Sequence, residues 1–152
     1  MKQIHLIIVG KLKDKNLLSL EQTYLKRINS VKVNITEIKA SSEDKEQEGK
    51  LILQKISHLS KGSCNIILLS EHGKQFSSES FSQIVFNDLL TKFDNIFFVI
   101  GGAEGHGQQI IQESNSLLSL SPMTFPHQIA RVLFIEQLYR AQTIFQGHPY
   151  HN

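Results

Sequence analysis

The sequence has little of what marks secreted or membrane-embedded proteins. It contains one cysteine, Cys64, which precedes the apolar run 66–69 and is interpreted as a small core residue in a reducing compartment. No apolar stretch approaches the roughly 20 residues that a membrane-spanning helix needs. The N-terminal apolar run 4–9 includes His5 and is short for a secretory signal. These absences predict a soluble, cytoplasmic protein that does not enter a membrane.

Excess charge and internal repetition are also lacking. The formal net charge at pH 7 is +2, so nucleic acid would have to bind at a local basic patch, which the 16 basic residues permit. No repeat, low-complexity tract or linker divides the chain, and residues 1–152 are predicted to form one domain. The polar run 41–50 is most simply a solvated loop and helix start, with an RNA contact as the alternative.

Apolar segments of two kinds alternate along the chain. Predicted strands cover residues 4–9, 31–35, 65–70, 96–100 and 117–120. Segments with helical spacing of apolar residues lie between the first four strands, and a longer one follows the fifth. Strands that alternate with helices predict an α/β fold with a largely parallel sheet.

The final predicted helix, residues 127–144, is apolar on nearly all sides. Its full charges are Arg131, Glu136 and Arg140, of which the last two stand four residues apart and can pair. A helix that is apolar all round must be buried, and we expect that one small domain cannot cover such a terminal helix alone. The sequence therefore predicts a symmetric dimer in which this helix packs against a second copy.

Two loops follow the last two predicted strands and could together enclose a small ligand. The first contains Gly101, Gly105 and Gly107, a spacing that suggests either a dinucleotide site or a structural turn. A dinucleotide site is disfavoured, because such glycine motifs belong to the first strand–helix turn of a unit with several strands following. The tail 148–152 adds two histidines and a tyrosine. The C-terminal third thus has the outline of a two-substrate enzyme.

Five blocks of the sequence carry a family resemblance. They are FVIGGAEG at 98–105, LSLSPMTFPHQ at 118–128, RVL at 131–133, EQLYRA at 136–141 and HPYH at 148–151. The opening segment 8–13 and the turn 73–74 fit the same family. On these blocks the chain strongly resembles the bacterial 23S ribosomal RNA pseudouridine N3-methyltransferase family (RlmH) of the SPOUT superfamily, over essentially its whole length.

The resemblance implies a SPOUT-type α/β fold whose C-terminal segment is threaded into a trefoil knot, in a protein that works as a homodimer. It also implies S-adenosyl-L-methionine as methyl donor and no metal. The positions that it assigns to this cofactor are Leu69, Gly101, Leu120, Ser121, Pro122, Met123, Thr124 and Phe125. Backbone amides and carbonyls of such loops can bind the adenine edge, which explains why the segment is apolar.

The implied reaction is methylation of N3 of a pseudouridine in 23S ribosomal RNA of the large subunit, with assembled ribosomes as the expected substrate. N3 carries an imide proton, so the enzyme must align N3 with the methyl group and help remove that proton. Arg140 or Arg131 could stabilise the resulting anion or hold phosphates. Tyr150 and His151 are candidates for proton removal or base positioning, and Tyr150 could also stack on the flipped base.

Two further histidines have less specific assignments. His127 follows Pro126 at a helix start, where it either caps the helix or organises the cofactor or the RNA, and it is a further candidate catalytic residue. His148 is a candidate RNA contact. A metal site that joins His148 and His151 is disfavoured, because third and fourth ligands are not nearby in the sequence.

The chain departs from the family pattern at two positions. His106 stands where the family usually has a hydrophobic residue, and it is predicted to be exposed and without a role. Asn152 stands where the family tail normally ends in a basic residue, which leaves one RNA-phosphate contact in doubt. Two other functions stay open: a non-catalytic ribosome-binding or assembly factor of the same fold, and a SPOUT methyltransferase with another RNA target.

Overall fold

A computed structural model describes residues 2–41 and 44–152 of the chain. The strands are β1 (Gln3–Val9), β2 (Lys32–Ile38), β3 (Cys64–Gln75), β4 (Asn95–Ile100) and β5 (Ser116–Ser119). The helices are α1 (Lys15–Arg27), α2 (Lys45–Leu59), α3 (Ser78–Ser82), α4 (Leu90–Lys92), α5 (Gln108–Glu113) and α6 (His127–Gln146), with a π-helical segment, Gln83–Leu89, that joins α3 to α4.

The five strands form one sheet in the order β2-β1-β4-β3-β5, and every neighbouring pair is parallel. This arrangement confirms the predicted α/β fold with a largely parallel sheet. The carboxyl ends of the strands therefore meet at one edge of the sheet. One predicted boundary was wrong: the third strand does not end at Ser70, because Lys74 and Gln75 also pair with β5 after a shift in register.

Both faces of the sheet are buried, which explains its nearly continuous apolar runs. In β4, Ile96, Phe98 and Ile100 belong to the core that also contains side chains of α3, the π-helical segment and α6. The alternate residues Phe97 and Val99 pack with α2 and α5 on the opposite face. The sheet is thus the middle of three layers, and its carboxyl edge is left for loops.

Helix α6 is covered mostly by its own chain. Val132, Phe134, Ile135 and Leu138 are each at most 5% exposed. Helices α1 and α3 pack along α6 and supply much of this cover. The expectation that one subunit cannot bury this helix was therefore wrong for most of its length. The large apolar side chains that α6 leaves exposed include Ile129, Leu133 and Phe145, at 42%, 40% and 48% exposure.

Two helical segments differ from the expectation. The helical spacing of Phe81, Val85 and Leu89 is realised largely as π-helix, in which each hydrogen bond spans one residue more than in an α-helix. Helix α5 was not predicted, because Ile110 is its one buried residue and a short helix with a single core contact leaves no periodicity in the sequence. Cys64, at the start of β3, is half-buried against the α2 side of the core.

Within residues 2–41 and 44–152, no helix combines the length and apolar character that crossing a membrane requires.

Candidate functional site

A cleft of about 810 Å³ opens at the carboxyl edge of the sheet, beyond the ends of β3, β4 and β5. Parallel α/β sheets place their ligands at this edge. Three segments surround the cleft: residues 69–72 of β3, residues 101–106 of the glycine loop (101–107), and most of the loop 120–126 between β5 and α6. His127 and Ala130 of α6 also line the cleft.

The cleft brings together most of the residues that the family resemblance assigns to the cofactor. Its lining includes Leu69, Gly101, Leu120, Ser121, Met123, Thr124 and Phe125. Pro122 belongs to the same loop, but it is exposed and lies outside the lining. The sequence reasoning missed Ser70, Glu71 and His72, which also line the cleft. Their place at the carboxyl end of a predicted strand was the available signal.

Polar side chains hold the loop 120–126 in shape. The Ser119 hydroxyl donates to the Ser121 carbonyl at 2.8 Å, and the Ser121 hydroxyl accepts from the Met123 amide at 3.0 Å. The Thr124 hydroxyl donates to the carboxylate of Glu71 in β3. These hydroxyl groups act on the loop itself and join it to β3, so they fix the position of the backbone that faces the cleft.

His106 is not exposed, contrary to the prediction, and it connects two walls of the cleft. Its ring is half-buried, and Nε2–H donates to the Leu69 carbonyl at 2.7 Å. Burial lowers the pKa of His106 below the ordinary value, so the ring is neutral near pH 7. The ring also lies against Gly101, where an added Cβ would stand 3.1 Å from Nδ1. His106 therefore ties the glycine loop to the end of β3.

His127 faces the cleft from the first turn of α6. The N-cap position is Pro126, and no side chain caps this helix, so the capping role considered for His127 was wrong. The ring instead lies beside Gly10, which follows β1: an added Cβ on Gly10 would stand 3.2 Å from Nε2 of His127. This placement fits the alternative, a role in organising a ligand in the cleft.

The C-terminal tail is held by a network of charged groups around Arg140. Arg140 Nε donates to Glu136 at 2.8 Å, as the spacing of four residues predicted. One terminal nitrogen of Arg140 donates to Nδ1 of His151 at 2.9 Å. Because Nδ1 accepts, Nε2 carries the proton of the neutral ring and donates to Glu79 at 2.7 Å. The predicted catalytic residues Arg140 and His151 are therefore in direct contact.

Tyr150 packs into the same network. Its ring lies 4.7 Å from that of Tyr139 in an edge-to-face arrangement, and the Arg140 guanidinium lies 5.0 Å from its centre. Burial, and then a hydrogen bond with Tyr24, raise the pKa of Tyr150 to about 12. The hydroxyl therefore stays protonated at neutral pH. These contacts show a tail that is docked on α1, α3 and α6 and is not frayed.

The network around Arg140 does not belong to the cleft lining within one chain. His127 lines the cleft, whereas Arg140, Tyr150 and His151 are not part of its lining. Arg140 follows His127 by thirteen residues of the same helix, about 20 Å at the usual rise of an α-helix. Within one chain, three of the four predicted catalytic residues therefore do not line the cleft, although Glu136, which pairs with Arg140, shares a second cavity with Leu120 and Phe125.

Arg131 does not fit the prediction that it contacts RNA. It is 4% exposed, and its guanidinium donates to Glu21 at 2.5 and 2.9 Å and to Glu37 at 2.6 Å. Burial by itself would lower the pKa of Arg131, but the hydrogen bonds to both carboxylates outweigh it and raise the pKa. Arg131 is thus an internal tie between α6, α1 and β2, and its charge is already neutralised.

We expect Arg131→Met to reduce the free energy of unfolding by about 3–5 kcal/mol, because Glu21, 1% exposed, would be left as a buried charge without its partner. Urea denaturation measures this loss. Adding Glu21→Gln should recover part of it, since the remaining amide is neutral. If Arg131→Met unfolds like the original chain but loses RNA affinity, the internal role is wrong.

The remaining tail histidine, His148, is exposed on the surface. Its backbone amide donates to the Thr143 carbonyl at 2.8 Å, and its Nδ1 accepts from the Tyr150 amide at 3.2 Å. An RNA contact by His148 stays a prediction. In the part of the chain that the structure describes, no cluster of three or more His, Cys, Asp or Glu residues is placed to hold a metal ion.

Comparisons with known proteins agree with this architecture. The family described as "Predicted SPOUT methyltransferase" matches residues 1–151. A protein of Clostridium botulinum (strain Kyoto / Type A2) named "Ribosomal RNA large subunit methyltransferase H" is 41% identical, covering 97% of this chain and 98% of its own length. Proteins with the same name in Christiangramia forsetii and Flavobacterium psychrophilum are 39% and 40% identical, each covering 98% of both chains. The chain therefore belongs to the SPOUT methyltransferase family.

Proposed function

We propose that this protein methylates N3 of a pseudouridine in the 23S ribosomal RNA of the large subunit, with S-adenosyl-L-methionine as methyl donor. The observation that carries the proposal is the cleft, whose lining includes seven of the eight residues assigned to that cofactor. The target follows from relatives that are about 40% identical and named as large-subunit ribosomal RNA methyltransferases. The choice of pseudouridine as the methylated base, and of its N3 atom, rests on the sequence resemblance.

The residues of the cleft fit an adenosylmethionine molecule. Leu69, Leu120 and Phe125 offer apolar surface for the adenine ring, and the loops around them offer backbone amides and carbonyls for its edge. Gly105 has a positive φ of 80°, and among the described residues no atom beyond its chain neighbours lies within 4 Å of the position that a Cβ would occupy there. The glycine loop therefore leaves open space at the cleft. The bound cofactor would supply an activated methyl group, and His127 and Ala130 would contact it from α6.

The network around Arg140 suits the second substrate. The N3 proton of pseudouridine must leave before nitrogen can attack, and a guanidinium stabilises the anion that results. Tyr150 keeps its own proton because its pKa is about 12, so its role is to position the base by stacking rather than to remove the proton. Neutral His151 is the remaining candidate base of the tail, once Arg140 turns from its Nδ1 toward the nucleobase.

A homodimer would join the two halves of the site. Arg140, Tyr150 and His151 do not line the cleft of their own chain, whereas a partner's tail could cover that cleft. The exposed side chains Ile129 and Leu133 lie on the cleft end of α6 and offer an apolar contact there. The dimer is proposed to form through this half of α6. The trefoil knot implied by the resemblance is part of the same proposal.

We expect Leu133→Glu to convert the dimer to a monomer without unfolding it, because Leu133 is exposed and a charge in an apolar interface is not paired. Sedimentation at micromolar concentration measures the change. Leu20→Glu on α1, 43% exposed, is the matched control and should leave the dimer intact. Leu138 is unsuitable for this purpose, because it is 1% exposed and its replacement would test folding. If the Leu133→Glu variant stays dimeric, Leu133 is not part of the dimer interface.

Two measurements separate the proposed function from its alternatives. Calorimetry with adenosylmethionine should give binding, and its absence would favour a non-catalytic assembly factor. Mass spectrometry of 23S RNA from large subunits and from whole ribosomes, incubated with protein and cofactor, should show methylated pseudouridine. If the protein binds the cofactor but leaves both substrates unmodified, it is a SPOUT methyltransferase with another RNA target.

A further inference from the structure

The first turn of α2 lies against the glycine loop. Two glutamates of this turn, Glu46 and Glu48, reach the two ends of the loop, and Lys45 beside them lines the cleft. The polar run 41–50 was interpreted from the sequence most simply as solvated. Part of that run, in the described residues 44–50, is instead directed inward to the loop that forms one wall of the cleft.

Glu46 holds the C-terminal end of the loop. Its Oε2 accepts a hydrogen bond from the Gln108 backbone amide at 2.8 Å, where α5 begins. Gly107 occupies the N-cap position of α5 and has no side chain that could accept a hydrogen bond from the helix. Glu46, which belongs to α2, provides that acceptor instead. An added Cβ on Gly107 would stand 2.6 Å from the same oxygen. A hydrogen bond to a carboxylate is stronger than one between neutral groups.

Glu48 supports the beginning of the loop. It is 6% exposed, and its Oε2 accepts from the Ser41 backbone amide at 2.9 Å. Its other oxygen lies against Gly102, where an added Cβ would stand 2.9 Å away. Glu46 therefore holds the end of the loop by a hydrogen bond to Gln108, whereas Glu48, fixed by its own bond to Ser41, packs against Gly102.

We propose that Glu46 and Glu48 are positioning residues that keep the glycine loop in the conformation that binds the cofactor; this rests on the proposed function of the cleft. The loop carries Gly101 and also His106, which donates to the Leu69 carbonyl on the next strand. A loop that loses its support at one end samples other conformations. The apparent affinity for the cofactor is then reduced in proportion to the fraction of molecules that keep the binding conformation. The glutamates act through the loop and are not catalytic residues.

The test compares Glu46→Ala with Glu46→Gln. In calorimetry, the Kd of adenosylmethionine should be about tenfold higher for the alanine variant than for the unmodified protein. This is the effect expected if the glycine loop adopts its cofactor-binding conformation only about a tenth of the time. The glutamine variant should retain most of the affinity, because its amide oxygen can still accept from Gln108. The rate of methyl transfer at saturating cofactor should change little in either variant. Glu48→Gln should likewise retain binding.

A second measurement needs no cofactor and no activity. Hydrogen exchange of the Gln108 amide, followed by NMR, should become faster in Glu46→Ala and stay slow in the glutamine variant. Glu113→Ala, an exposed glutamate at the other end of α5, is the matched control and should alter neither quantity. Wild-type affinity in Glu46→Ala, or an equal loss in Glu113→Ala, would overturn the positioning role. If the unmodified protein does not bind adenosylmethionine, the proposed function is wrong. Hydrogen exchange of the Gln108 amide would still show whether Glu46 holds the loop.

Discussion

Deleting residues 150–152 should reduce methyl transfer to ribosomal RNA at least roughly 100-fold, the effect of losing an acid–base or positioning group. The deletion removes the Tyr150 ring that packs on Arg140 and the His151 ring that accepts from it. The cleft is not lined by these residues. The affinity for adenosylmethionine should therefore change less than threefold, well below the loss in rate.

Single substitutions separate the contributions inside the tail. Tyr150→Phe keeps the ring and should keep most of the activity, because a hydroxyl with a pKa of about 12 does not remove a proton at neutral pH. His151→Asn should lose most of it if His151 is the base. Single-turnover methylation of large subunits, with calorimetry on the same variants, measures both quantities. A truncated protein that methylates at the original rate would exclude the tail from catalysis.

The cleft was predictable from sequence because its parts are local. A buried strand followed by a glycine loop, and a second apolar strand followed by residues 120–126, are visible in the chain as it is read. Parallel strands then bring these loops to one edge without further information. The family resemblance added the identity of the ligand, and seven of its eight assigned positions line the observed cleft.

The role of Arg131 was not predictable for the opposite reason. Its partners Glu21 and Glu37 lie 110 and 94 residues away in the sequence, and no local pattern links them. A lone arginine on an apolar helix has two physical solutions, a buried partner or an outside ligand, and the sequence does not distinguish them. His106 was missed similarly, since its hydrogen bond to Leu69 depends on how two strands end side by side.

The extent of burial of α6 also depends on tertiary contacts. The apolar residues of this helix were recognised, but the sequence does not say how much surface α1, α3 and the sheet can cover. In the structure they cover Phe134 and Ile135 completely and leave Ile129 and Leu133 at the cleft end. The predicted dimer therefore depends on a small surface rather than on the whole helix.

Gly101→Val should abolish measurable binding of adenosylmethionine, at least a 100-fold rise in Kd, while the chain stays folded. A ligand that approaches the backbone of Gly101 closely leaves no room for a side chain there, and the structure adds an internal reason. An added Cβ would stand 2.9 Å from the Gly105 carbonyl oxygen and 3.1 Å from the His106 ring. Valine would therefore open the glycine loop and break the hydrogen bond from His106 to Leu69.

NMR titration of His106 separates the two reasons. The pKa of His106 is lowered by burial, so an opened loop should let it rise toward the ordinary value in Gly101→Val. Lost binding with an unchanged His106 pKa would point to direct contact between ligand and Gly101. Unchanged affinity for adenosylmethionine, together with an unchanged thermal transition, would remove Gly101 from the site altogether.

Mixing Gly101→Val with the chain that lacks residues 150–152 provides the decisive control for the valine variant. Each protein alone should be inactive, because the valine variant lacks a functional cleft and the truncated chain lacks the tail. If a partner's tail completes the cleft, a mixed dimer contains one intact cleft from the truncated chain and one intact tail from the valine variant. Half of randomly exchanged dimers are mixed, so about a quarter of the original activity should return. Two inactive proteins that stay inactive after proven exchange would show that cleft and tail must belong to the same chain.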